Sequence, residues 1–145
     1  MKFVFLKNLE ETIMFGRDFS LGLKAKSKIL LKGEIGAGKT SLVKGIAKGL
    51  QIKENITSPT FALSHHYYSG KMPLIHMDLY RLEDSSSAQE LFLEEEEELD
   101  QINGIMVIEW PNMIISLVED YWLIEIEYSE ESGRSVRVYN PKSFK

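Results

Sequence analysis

The sequence predicts an α/β domain, a mixed β-sheet flanked by helices and finished by antiparallel strands. Three observations predict it. The apolar run Ile29-Leu30-Leu31 leads into a glycine-rich segment, Gly33 to Thr40, and from there into a helical apolar face. Two further short apolar runs, 74–79 and 105–108, have an acidic residue at or just past their ends, Asp78 and Glu109. The last part of the chain alternates in strand fashion on both sides of Glu131-Ser132-Gly133. Strands interspersed with helices favour parallel pairing, and a closing hairpin adds antiparallel strands.

Taken in order, Phe3-Val4-Phe5-Leu6 reads as a short strand. Asn8, followed three residues on by Glu11, resembles a capping box that opens a helix. Leu9, Ile13, Phe19 and Leu23 carry that helix to about residue 24. Residues 29–31 read as a buried strand, being short, apolar and followed at once by glycine. After Thr40, the positions Leu42, Val43, Ile46, Ala47 and Leu50 form one helical face. Thr57-Ser58-Pro59-Thr60 reads as a loop, because Pro59 cannot donate to a ladder. Residues 61–68 and 74–79 read as strands around a turn at Ser69-Gly70-Lys71. A helix over 84–99 follows, capped by Asp84 or a neighbouring serine. Residues 105–108 form another buried strand, which ends at Glu109-Trp110-Pro111, where Pro111 can open a short helix. Residues 121–128 and 134–139 form the final hairpin.

A length of 145 residues suits one domain, 1–145, and is too short for two ordinary ones. With 43% hydrophobic and 27% charged residues, the composition excludes a disordered, collagenous or coiled-coil chain. The absence of cysteine excludes disulfides, thiolate zinc sites and cysteine nucleophiles, and suits an intracellular protein. No apolar run reaches the length of a membrane span, and the N-terminus is too short and too soon charged for a signal peptide. The expectation is a cytoplasmic protein with no membrane association. Lysine and arginine number 17 against 22 acids, for a net charge of −5. Such a chain is not built to embrace nucleic acid by itself, since phosphate contacts dominate that affinity. A local positive site for a nucleotide is compatible with it.

Gly33-Glu34-Ile35-Gly36-Ala37-Gly38-Lys39-Thr40 fits G-x-x-x-x-G-K-[ST] between a strand and a helix, as that motif requires. The glycines let the backbone aim several N–H groups at phosphates, and the helix N-terminus adds the positive end of its dipole. Lys39 brings a point charge to the outer phosphates, and the Thr40 hydroxyl can ligate Mg²⁺. The fold expected is therefore P-loop NTPase-like.

Hydrolysis also needs metal ligands and a means of orienting water. Open α/β sheets bind ligands at the carboxyl ends of their strands, which singles out Asp78 and Glu109. Either is otherwise a surface acid at a strand end. On the 74–79 strand, Ile75, Met77 and Leu79 share one face, and His76, Asp78 and Tyr80 the other. A histidine-based metal site lacks an evident third ligand. His65 and His66 pack or face solvent. The run Glu94 to Glu98 reads most simply as a solvated helix face, with an acidic docking surface as the other reading. Thr12 on its own reads as a helix-surface residue, and Trp110 as a packing residue.

Four segments in this order are far more specific than the loop alone: Gly33 to Thr40, Ser58-Pro59-Thr60-Phe61, His76-Met77-Asp78-Leu79-Tyr80-Arg81, and Ile108-Glu109-Trp110-Pro111. Together they resemble the bacterial tRNA threonylcarbamoyladenosine biosynthesis ATPase family, TsaE, from Glu11-Thr12 to Gly133-Arg134. The resemblance implies a P-loop ATPase that hydrolyses ATP to ADP and phosphate with Mg²⁺, in partnership with a threonylcarbamoyl transferase subunit and that subunit's dimerisation partner. It implies an accessory role, driving or resetting the complex that modifies the adenosine beside the anticodon, with tRNA met only through the complex. Lys39, Asp78 and Glu109 are implied as catalytic, and Thr40, Asp78 and Glu109 as metal-associated. The nucleotide site implied comprises Gly33, Glu34, Ile35, Gly36, Ala37, Gly38, Lys39, Thr40 and Ser41. To these the resemblance adds Thr60 as a switch-type threonine, Trp110, and Thr12 and Arg134 near the nucleoside. The departure from the family's pattern is Ser85-Ser86-Ser87 with the glutamate run.

Two other functions compete. A small-molecule P-loop kinase usually carries an arginine-rich lid, whereas only Arg81, Arg134 and Arg137 follow the loop. A GTP-dependent switch usually carries Asn-Lys-x-Asp, which is absent from the sequence.

Overall fold

The structure, a computed structural model, describes residues 1–59, 61–129 and 132–144. Strands β1 (Lys2–Leu6), β2 (Lys28–Lys32), β3 (Ser64–Tyr67), β4 (Leu74–Asp78), β5 (Ile105–Glu109), β6 (Tyr121–Tyr128) and β7 (Arg134–Tyr139) alternate with helices α1 (Leu9–Ser20), α2 (Lys39–Gly49) and α3 (Ser85–Ile102). The strands make one mixed sheet in the order β1-β7-β6-β2-β5-β4-β3. The central four, β6, β2, β5 and β4, run parallel, and β3, β7 and β1 join antiparallel at the two sides. This is the P-loop NTPase-like α/β architecture that the sequence predicts.

Central strands covered on both faces read as unbroken apolar runs, whereas flanking strands alternate. Thus Ile29, Leu30 and Leu31 of β2 and Ile105 to Ile108 of β5 are all buried without residual exposure. On β7 only every second residue is buried. The pleat sends Ile29, Leu31, Ile105 and Val107 to one face, where they meet Leu42, Val43 and Ile46 of α2. It sends Leu30, Met106 and Ile108 to the other, where they meet Ala88, Phe92 and Leu99 of α3. Each large side chain buried in this way contributes about 1.5–3 kcal/mol. Helices α1 and α2 cross at backbone contact: a Cβ on Gly16 would strike the carbonyl oxygen of Leu42, and one on Gly45 that of Ile13.

Local chemistry sets the helix ends. Asn8 Oδ1 accepts from the Glu11 N–H at 2.9 Å, and Glu11 reaches back to the Lys7 N–H at 2.7 Å. Asp84 accepts from the N–H groups of Ser86 and Ser87 and so caps α3. Helix α1 stops at Ser20, short of the expected 24. Leu21, Gly22 and Leu23 bond three residues back, and this tighter turn still buries Leu23. Pro111 begins a turn, and the short 3-10 segment comes later, at Ile115–Leu117. No helix among the described residues is long and apolar enough to cross a membrane.

Candidate functional site

The glycine-rich segment leaves β2 and turns through Gly36 at φ 80° and Gly38 at φ 110°, conformations that favour glycine. Helix α2 starts immediately after, and its N-cap residue, Gly38, has no side chain with which to cap it. The N–H groups of its first turn and the positive end of its dipole therefore open onto a cleft of about 440 Å³. Lys39 is only 6% exposed. Its Nζ donates to the carbonyl oxygens of Gly33 at 2.5 Å and Glu34 at 3.0 Å, and lies 4.3 Å from the centre of the Trp110 ring. Burial pushes its pKa below the ordinary lysine value, and the negative charges of Glu109, Asp78 and Glu34 oppose that shift.

Two carboxylates face this loop. In the parallel pairing of β4 with β5, Asp78 is the register partner of Glu109, so both acids end neighbouring strands at the same level. Asp78 accepts from the Ser58 hydroxyl and from the Tyr80 N–H, each at 3.0 Å. Glu109 is buried, and its Oε2 lies 2.6 Å from Nε2 of the wholly buried His76. Tethered in this way, neither acid is the free surface carboxylate that a strand end alone suggests.

Trp110 packs as its residue type suggests, but against the local backbone preference. A residue before proline is biased toward extended backbone, yet Trp110 sits at φ 56°. This left-handed turn lays its ring against Tyr80, with centroids 4.8 Å apart, and under the lysine. The indole is thereby a wall of the cleft.

The closing hairpin reaches the loop from its far side. Arg134 Nε donates to the Ala37 carbonyl at 2.7 Å, and the Tyr128 hydroxyl donates to the Gly36 carbonyl. The Arg134 guanidinium lies 5.1 Å from the Tyr128 ring centre.

Of the residues singled out by sequence, Ile35, Gly36, Gly38, Lys39, Thr40, Ser41, Asp78, Glu109, Trp110 and Arg134 line the cleft. Gly33 and Glu34 instead line a groove behind the loop, and Ala37 is buried. Thr12 is not on the helix surface. It is fully buried, and its hydroxyl donates to the Asn8 carbonyl at 3.1 Å. Leu9, one turn earlier, takes the place at the cleft. Thr60 lies outside the described residues. Sequence reasoning left Ser58, Pro59, Tyr80, Arg81 and Tyr128 without roles, although they line the same cleft. The first four sit inside the quoted segments, whereas Tyr128 has no sequence signal. The glutamate run is not simply solvated: Glu95 bonds to Ser64 and to His66, and Glu96 pairs with Lys28 at 2.9 Å.

The family described as threonylcarbamoyl adenosine biosynthesis protein TsaE matches residues 6–136. The chain is 40% identical to the tRNA threonylcarbamoyladenosine biosynthesis protein TsaE of Nostoc sp., over 93% of this chain and 83% of that one. It is 36% identical to the protein of the same name from Aquifex aeolicus, over 96% of each. Among solved structures it is similar to Bacillus subtilis YdiB, with a TM-score of 0.77 and 26% identity over 97% of this chain and 85% of that one.

Proposed function

The chain belongs to the TsaE family, and on that premise we propose that it is a P-loop ATPase serving tRNA threonylcarbamoyladenosine biosynthesis. In this reading it binds ATP with Mg²⁺ in the cleft and hydrolyses it to ADP and phosphate. The hydrolysis drives or resets a threonylcarbamoyl transferase subunit and its dimerisation partner, and tRNA is met through that complex. One observation carries the reading: Asp78 and Glu109, partners in register, share a cleft with Lys39, Thr40 and the start of α2.

The residues fit the groups they are asked to hold. The glycine turns and the first-turn N–H groups are the kind of backbone donors that hold phosphate oxygens. Lys39 exchanges its two carbonyl partners for phosphate, a stronger charge-assisted contact. The Thr40 hydroxyl and the Asp78 and Glu109 carboxylates are hard oxygen donors of the kind Mg²⁺ accepts. When bound, Mg²⁺ supplies neutralisation of charge on the transferred phosphoryl group. Asp78, held by Ser58 and the Tyr80 N–H, and Glu109, held beside His76, keep fixed geometry to orient the attacking water. Tyr80 and Trp110 exclude bulk solvent from one wall.

Phosphate release from ATP, measured with and without Mg²⁺, transferase partners and tRNA, tests the reading. Magnesium-dependent release that rises with the partners is the expected result. No release under any of these conditions overturns it.

A further inference from the structure

We propose that His76 is the positioning residue for Glu109: its Nε2–H holds one carboxylate oxygen and so aims the other at the metal-binding end of the cleft. The proposal rests on the reading of Glu109 as a metal- or water-directing carboxylate. Strand β4 is otherwise apolar along its inner length, and an imidazole there is fully removed from water. Burying a polar ring is unfavourable unless it is hydrogen-bonded. His76 makes only half of the bonds available to it, since Nδ1 has no partner among the described residues. Its hydrogen-bond partner is the Glu109 carboxylate, at 2.6 Å. A site chosen for stability alone would carry an aliphatic residue, like Leu74 and Ile75 beside it.

The register explains how the pair meets. His76 lies opposite Val107, and Asp78 opposite Glu109. His76 and Glu109 therefore point to the same face as diagonal neighbours, within reach of two long side chains. A carboxylate oxygen accepts, so in this proposal Nε2 is the donor of the pair. A partner that orients a ligating group typically changes metal affinity or activity by about 10–100-fold when lost.

The experiment exploits the shape of two amides. The side-chain nitrogen of glutamine overlays Nε2 of histidine, and that of asparagine overlays Nδ1. His76→Gln, His76→Asn and His76→Leu are compared with wild type and Glu109→Ala by calorimetric titration of ATP over a range of Mg²⁺ concentrations. His76→Asn and His76→Leu are expected to raise the half-saturating Mg²⁺ concentration by about 10–100-fold and to leave metal-free ATP affinity unchanged. His76→Gln is expected to stay close to wild type. The His76→Asn/Glu109→Ala double variant is expected to match Glu109→Ala alone. Equal behaviour of the Gln and Asn variants, or additive losses in the double variant, overturns the proposal. A wild-type Mg²⁺ dependence in Glu109→Ala overturns instead the parent reading of that carboxylate. Nitrogen-15 spectra of the wild-type protein give a measurement free of folding defects: a proton on His76 Nε2 is expected, and an Nε2 without a proton refutes the assignment.

Discussion

Replacing Gly38 with alanine tests the geometry of the loop and its hairpin contact together. Gly38 has φ 110°, a conformation that costs an L-residue about 1–2 kcal/mol. An added Cβ would lie 2.8 Å from Nε and 3.1 Å from Cδ of Arg134, so the arginine must shift. That shift breaks the 2.7 Å bond from Nε to the Ala37 carbonyl, and a hydrogen bond to a charged group contributes about 1.5–3 kcal/mol. The sum is about 2.5–5 kcal/mol, a large part of the roughly 5–15 kcal/mol that holds a domain folded. At this chain length each kcal/mol moves the melting midpoint by about 4 °C, so Gly38→Ala should melt about 10–20 °C below wild type. Scanning calorimetry without nucleotide reads this directly. The double variant Gly38→Ala/Arg134→Ala should be less destabilised than the sum of the two single variants, because the clash and the broken bond are shared, with a coupling of about 0.5–3 kcal/mol. A wild-type melting point for Gly38→Ala, or strict additivity in the double variant, would refute the latch between hairpin and loop.

Lys39→Ala should remain folded and lose most ATP binding and hydrolysis, since its ammonium is the charge set among the loop carbonyls; unchanged affinity and turnover by calorimetry and phosphate release would remove the loop's assignment. ATP with Mg²⁺ should raise the melting point, by an amount corresponding to about 2.7 kcal/mol at a hundredfold excess over Kd, with GTP giving less. Indole emission of the Trp122→Phe protein should change on adding ATP, because Lys39 leaves the Trp110 face to meet phosphate; an inert spectrum at saturation would show that the lysine stays parked. The Asp84 carboxyl is held below its ordinary pKa of 3.8, first by the Ser87 hydroxyl and then by the N–H groups of Ser86 and Ser87. A depressed acid binds fewer protons when folded, so its contribution is complete above pH 3.8 and lost as pH falls through the lower folded value. Asp84→Asn should flatten that part of the stability profile, as read by urea titration at stepped pH.

The features legible before folding are local. The strand, glycine turn and helix around Lys39, the caps at Asn8 and Asp84, and the bounds of the final hairpin each depend on neighbours a few residues apart. Periodicity and turn chemistry report such neighbours directly. The acids Asp78 and Glu109 were legible for the same reason, since each ends a short apolar run.

Tertiary structure alone decided which distant segments meet. Strand β6 enters the sheet parallel to β2, and β7 then takes β1 at the edge. That placement brings Tyr128 and Arg134 onto a loop more than 90 residues earlier in the chain. The pairing of His76 with Glu109, the bonds that draw Glu95 and Glu96 onto β3 and β2, and the burial of Thr12 arise in the same way. Each depends on sheet order and packing between segments far apart in sequence, which no local pattern encodes. Trp110 shows the limit most sharply. Its proline neighbour favours extended backbone, but contacts with Tyr80 and Lys39 accompany a left-handed turn instead. A local preference of this kind amounts to about 1–2 kcal/mol, small enough for tertiary contacts to override.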